Sequence, residues 1–135
     1  MPVSKRLSAL AVLVVLLLTG SSGGGERPRT LRSPATIHGF IGGESHDTYV
    51  VHAVAGQTLY ISISWKLEHD PEIGDNRAEF WVEPQADLNA PGPVQFGQES
   101  NGGKNWSATI PKTGNYFVYV VAYPSAYYTL KFRNK

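Results

Sequence analysis

Residues 46–65 read HDTYVVHAVAGQTLYISISW, and this stretch constrains the fold more than any other. Tyr49, Val51 and Ala53 fall on one side of a period of two, and Thr48, Val50, His52 and Val54 on the other. After Ala55-Gly56-Gln57 the pattern resumes, with Leu59, Ile61, Ile63 and Trp65 against Tyr60, Ser62, Ser64 and Lys66. Successive side chains leave opposite faces of a strand, so this alternation specifies two half-buried strands and a turn, expected as a hairpin. The β-branched and aromatic content suits a pleated, partly covered surface.

The same reading extends along the chain. Residues 35–41 (ATIHGFI) form a first strand, closed by Gly42-Gly43-Glu44. Residues 67–76 (LEHDPEIGDN) are a loop, punctuated by Pro71, Gly74 and Asp75-Asn76. Residues 77–83 (RAEFWVE) place Ala78, Phe80 and Val82 inward and Trp81 outward. A proline-rich loop over 84–93 precedes a short edge strand at 94–96 and a polar turn at 98–103. In 105–110, Trp106, Ala108 and Ile110 share a face, and Pro111-Lys112-Thr113-Gly114 is a tight turn. Inward positions follow at Tyr116, Val118, Val120 and Ala122, then, after Pro124-Ser125, at Tyr128, Leu130 and Phe132. No helical period runs through residues 26–135. About eight short strands with frequent turn signals predict an all-β, antiparallel, jelly-roll-like sandwich.

Not all 135 residues belong to that sandwich. Residues 1–25 carry Lys5 and Arg6, an uncharged apolar run over 7–18, and then small residues, the order of a cleaved signal peptide. The apolar run is shorter than the ~20 residues that span a bilayer, so no membrane anchor is expected. Residues 26–34 alternate Arg27, Arg29 and Arg32 with prolines and read as a flexible basic tether. Residues 35–135 are enough for one domain and must fold without staples, since the chain has no cysteine. The expected location is therefore periplasmic or secreted. Once Lys5 and Arg6 are removed, ten basic residues face eleven acids, a balance that argues against nucleic acid as the partner. The acids concentrate over 68–87, where Arg77 is the single cation, and no acid follows Glu99.

Catalytic chemistry finds no support. Ser45-His46-Asp47 has the residue types of a hydrolytic triad, but consecutive residues entering a strand point to opposite faces. No nucleophile elbow, phosphate loop or dinucleotide fingerprint is present. The histidines, at 38, 46, 52 and 69, lack the paired spacing of a zinc site. The acidic loop with Asp70, Glu72 and Asp75 offers oxygens for calcium, but not in EF-hand spacing, and reads as solvated. No metal or cofactor is expected. What stands out is aromatic: Tyr60, Trp81, Phe117, Tyr119, Tyr123 and Tyr127 occupy outward positions, where an open sheet face is usually polar.

The pattern Gly-Gly-x-x-x-Asp47-x-Tyr49-x-Val51-x-Ala53-x-Ala55-Gly56-Gln57-x-Leu59-x-Ile61, then Ile110-Pro111-x-x-Gly114-x-Tyr116-x-Val118-x-Val120, then Tyr128-x-Leu130-x-Phe132, resembles bacterial pre-peptidase C-terminal domains. Within that style the chain is most similar to stand-alone periplasmic inhibitors of g-type lysozyme, in its leader, its length, its His46-Asp47-Thr48-Tyr49 strand start and its Ala-Gly-Gln turn. It departs from them in a shorter last turn, over 123–127, and a longer loop, over 67–76. The residues carrying the likeness build the fold, and fold alone does not assign activity. The resemblance implies a non-enzymatic binding protein. The implied partner is an extracellular protein such as a lysozyme, met by loops that include Asp70, Glu72, Asp75, Tyr123, Ser125 and Tyr127. The acidic loop would complement a basic enzyme. The alternative is a cell-wall or glycan-binding accessory module that uses the outward aromatics Trp81, Tyr119 and Phe117.

Overall fold

The computed structural model describes residues 27–84 and 96–135. The leader expected over 1–25, the interior of the proline-rich loop (85–93), and Val94 and Gln95 of the expected edge strand lie outside the described residues.

Two sheets face each other. The first contains β1 (Arg29–Leu31), β3 (Asp47–Ala53), β10 (Gly114–Tyr123) and β7 (Arg77–Pro84), in that order. The second runs β2 (Ala35–Gly42), β11 (Ser125–Asn134), β4 (Thr58–Trp65), β9 (Asn105–Thr109) and β8 (Gln98–Ser100). A two-stranded ribbon, β5 (His69–Asp70) and β6 (Gly74–Asp75), projects from the β4–β7 connection. The architecture is an all-β sandwich, and the strand alternation supplies its core. Val51, Ala53, Leu59, Val118, Val120, Ala126 and Leu130 are fully buried, with Tyr49, Ile61, Phe80, Trp106, Tyr116, Tyr128 and Phe132 around them.

The faces are as the period of two requires, but the pairing is not. β3 and β4, expected as a hairpin, lie in different sheets, and so do β9 and β10, and β10 and β11. Each of these turns is an arch that carries the chain across the core. Both runs of residues 46–65 have an apolar face, and the arch presses those faces together across the core instead of setting them side by side. An arch must find partners for its backbone polar groups elsewhere. Gly56 N donates to Ile110 O at 2.8 Å, Ile110 N to Gln57 O at 2.8 Å, and Thr58 N to Lys135 O at 2.9 Å. The arch at 54–57 and the arch at 110–114 therefore satisfy each other. Gly56 takes φ +88°, which a residue with a Cβ rarely adopts.

Three further expectations are corrected. Residues 26–34 are not a free tether throughout, because Arg29–Leu31 pairs with β3 in parallel, Arg29 opposite Tyr49 and Leu31 opposite Val51. This strand covers what would be an open edge of β3. Leu31 packs on the core, and Asn134 N donates to Ser33 Oγ at 2.7 Å. A strand occupies Gln98–Ser100, inside the turn expected over 98–103, and Phe96 and Gly97 before it pack on the core. Phe96 stacks on Tyr116 and its carbonyl accepts Trp106 Nε1–H at 3.1 Å, while Gly97 lies so close to the Trp106 ring that a Cβ there would collide with it. The loop over 67–76 is partly ordered as the β5–β6 ribbon.

One polar chain crosses the core. The Tyr128 hydroxyl donates to Asp47 Oδ2 at 2.5 Å and accepts from the Tyr49 hydroxyl. Burial, then the bonds to Asp47 and Tyr49, pushes the Tyr128 hydroxyl far above the ordinary tyrosine range.

Candidate functional site: the loop end of the sandwich

Three connections meet at one end: the β2–β3 loop, the segment over 66–76, and the β10–β11 arch. Gly43 N donates to Pro124 O at 3.1 Å, and Lys66 N to Tyr127 O at 2.9 Å. The joint between them is Asn76, the one buried polar residue among the described residues. Its Nδ2 donates to Lys66 O and to Ser125 O, both at 3.0 Å. Its Oδ1 accepts from Glu68 N at 2.8 Å, its N–H donates to Glu68 O at 2.9 Å, and its carbonyl accepts Trp65 Nε1–H at 3.2 Å. One short side chain thus fixes both ends of the acidic segment and locks it to the β10–β11 arch. In the sequence Asn76 is a turn-forming residue after Asp75, and nothing in its neighbours marks it as buried.

The ribbon is shaped by its own acids. Asp70 Oδ1 accepts from the N–H groups of Glu72 (2.8 Å) and Ile73 (3.1 Å), a side chain standing in for a backbone turn. Asp75 Oδ1 lies 2.7 Å from His69 Nδ1. Among the described residues no group of three or more His, Asp or Glu side chains is arranged to hold a metal ion. Ile73 stands at the tip, 68% exposed.

Of the eight large hydrophobic side chains left exposed among the described residues, five border this end: Phe40, Leu67, Ile73, Tyr123 and Tyr127. Phe40 and Tyr127 are cross-strand neighbours with ring centroids 4.6 Å apart. The Arg77 guanidinium sits 4.9 Å over the Tyr123 ring, opposite it in register. The end is therefore an apolar surface edged by carboxylates.

Of the residues expected to bind a partner, Asp70, Glu72, Asp75, Tyr123, Ser125 and Tyr127 come together here. Ser125 contributes chiefly its carbonyl to Asn76 and is half-buried. Trp81 and Tyr119 do not join them. They pair across β7 and β10 on the outer face of the four-stranded sheet, stacked 5.2 Å apart, with Phe117 continuing the row 6.4 Å from Tyr119. Trp81 Nε1–H donates to Glu83 Oε1 at 3.2 Å, and burial, with the Glu83 charge second, raises the Tyr119 hydroxyl pKa. Tyr60 lies on the opposite sheet, beneath Arg133. The outward aromatics expected as one surface thus divide over both faces and one end. Sequence reasoning missed Phe40, Leu67 and Ile73; the alternation of 35–41 already put Phe40 outward. Ser45-His46-Asp47 makes no triad: Asp47 turns inward to Tyr128, and His46 is exposed, its ring 6.4 Å from Tyr119.

No protein-family model matches the sequence, and no curated protein matches it. Solved structures do match in fold. The periplasmic inhibitor of g-type lysozyme from Aeromonas hydrophila aligns with TM-score 0.57 and 19% identity, over 80% of this chain and 96% of the inhibitor. The corresponding Salmonella Typhimurium inhibitor gives TM-score 0.55 and 19% identity, over 82% and 100%. The pre-peptidase C-terminal domain of a Bacillus anthracis collagenase gives 0.54 and 24%, over 82% and 98%. The resemblance read from the sequence extends to the architecture, and identities at this level speak for the fold alone.

Proposed function

We propose that this protein is an exported, non-enzymatic inhibitor that binds an extracellular enzyme of the lysozyme kind through its loop end. The observation that carries the reading is the convergence on Asn76. It holds an acidic ribbon with an apolar tip beside Tyr123 and Tyr127. A surface that is held rigid before binding loses little entropy on association. Carboxylates at its rim favour a basic partner and speed encounter. The two inhibitors with the same fold are periplasmic and inhibit g-type lysozyme, and 96% and 100% of their chains are covered.

The test is the lysis rate of bacterial cell walls by g-, c- and i-type lysozymes with increasing amounts of the protein. Sub-micromolar inhibition of one type is expected, and its loss in Asp70→Asn/Asp75→Asn. Absence of inhibition against all three overturns the reading. The stacked row Trp81–Tyr119–Phe117 favours a second reading, a glycan-binding module. Trp81→Ala/Tyr119→Ala separates the two, because it would abolish glycan binding and leave lysozyme inhibition unchanged.

A further inference from the structure

The outer face of the five-stranded sheet is unlike the rest of the surface. One row of side chains crosses all five strands in register: Thr36, Lys131, Ser62, Asn105 and Ser100. A second row beside it places Arg133 next to Tyr60 and Tyr60 next to Ser107, with the guanidinium 4.8 Å over the Tyr60 ring. These two rows line a trough of about 640 Å³. Four strand spacings make it roughly 19 Å long.

Its chemistry is one-sided. The five strands hold a single acid, Glu99, and that residue stands opposite inward-facing Trp106. The outer face of the other sheet carries Glu79 and Glu83. Lys131 and Arg133 join none of the ion pairs formed among the described residues. Among those residues, Thr36, Ser62, Asn105, Ser107 and Ser100 also form no intramolecular side-chain hydrogen bond. The trough thus presents a line of free hydroxyl and amide groups around two cations, one of them held in place by an aromatic ring.

We propose that this face binds an acidic polysaccharide, laid across the strands. The neutral row would meet sugar hydroxyls, and Lys131 and Arg133 would meet carboxylate or other anionic substituents. The groove lies away from the loop end and would operate whether or not the loop end inhibits an enzyme. Charge alone would attract any polyanion; the hydroxyl and amide row is what selects a sugar.

The experiment is calorimetric titration of the protein with polygalacturonate, uncharged dextran and poly(dT). Binding of polygalacturonate but not dextran is expected. Lys131→Gln/Arg133→Gln should weaken it roughly tenfold, the scale of losing charge-assisted hydrogen bonds. Ser62→Ala/Asn105→Ala should also weaken it, and Asp70→Asn/Asp75→Asn should leave it unchanged. All of these positions are exposed or half-buried, so thermal melts should stay at the wild-type value. Equal affinity for poly(dT), no binding of polygalacturonate, or unchanged affinity in either the cation or the hydroxyl–amide double variant overturns the proposal.

Discussion

The two ends of the sandwich are built by the same device, chain crossing from one sheet to the other, and held by different means. At the end formed by the arches over 54–57 and 110–114, backbone meets backbone: Gly56 with Ile110, Ile110 with Gln57, Thr58 with Lys135. Exposed side chains add Gln57 Oε1 on Val54 N and Thr113 Oγ1 on Ala55 N, each at 2.9 Å, and one buried side chain joins them, the Tyr116 hydroxyl donating to Lys112 O at 2.6 Å. At the loop end two buried side chains hold the connections. Asn76 fixes the ribbon and the β10–β11 arch, and Tyr128 fixes Asp47 at the start of β3. Backbone bonding asks little of the side chains in the arch beyond the glycine at 56. Side-chain anchoring concentrates the order of three loops in a few atoms, leaving the loop surfaces free to carry chemistry.

The largest effect expected from this contrast is at Asn76. Asn76→Ala removes the partner of the Glu68 N–H and of the Lys66 and Ser125 carbonyls, all partly buried, at a cost of about 1–3 kcal/mol. Chemical denaturation should show this loss. Hydrogen exchange should show amides 66–76 and 123–127 opening while those of 54–57 stay protected. Uniform loosening of both ends would break the comparison.

Tyr128 gives the next effect and a pH signature. Its folded-state pKa is raised from the ordinary 10.0, so the folded form stays protonated where the unfolded form ionises. The sign follows by linkage: the stabilisation is complete below about pH 10 and is lost as pH rises beyond it. Tyr128→Phe removes that contribution and leaves Asp47 and the Tyr49 hydroxyl without this partner, costing about 1–3 kcal/mol near neutrality. Stability measured from pH 8 to 11 should therefore fall less steeply in the variant. Some slope should remain, since burial also raises Tyr116 and Tyr119. An unchanged slope would show that Tyr128 does not anchor this end.

The same contrast explains what the sequence displayed and what it hid. Alternation of apolar and polar residues is a local property, and it identified the inward set from Tyr49 to Phe132, including Trp106, Ala108 and Ile110. It is silent on which sheet a strand joins. Ala55-Gly56-Gln57 suits a hairpin and an arch equally, and the choice rests on Ile110 and Lys135, distant in sequence. β1 was hidden because three residues, two of them exposed, show no period, and their pairing is imposed by the open edge of β3. The acidic residues and tyrosines of the loop end were visible one by one. Their common location was not, because Asn76 acts through the Ser125 carbonyl, 49 residues away. The split of the outward aromatics is likewise a matter of sheet assignment: Tyr60 and Tyr119 occupy equivalent outward positions on strands of opposite sheets.

The smallest effect is expected where a side chain helps an arch that the backbone already holds. Thr113→Ala removes the acceptor for Ala55 N, but that amide is exposed and water replaces the hydroxyl. The loss should be about 0.5 kcal/mol or less in denaturant titration. Exchange of the Gly56 and Ile110 amides should be unchanged, because their carbonyl partners are untouched. A loss as large as that of Asn76→Ala would mean that this end, too, depends on a single side chain. The division between a backbone-held end and a side-chain-held end would then fail, and with it the argument that the loop end is the part of the fold freed for binding.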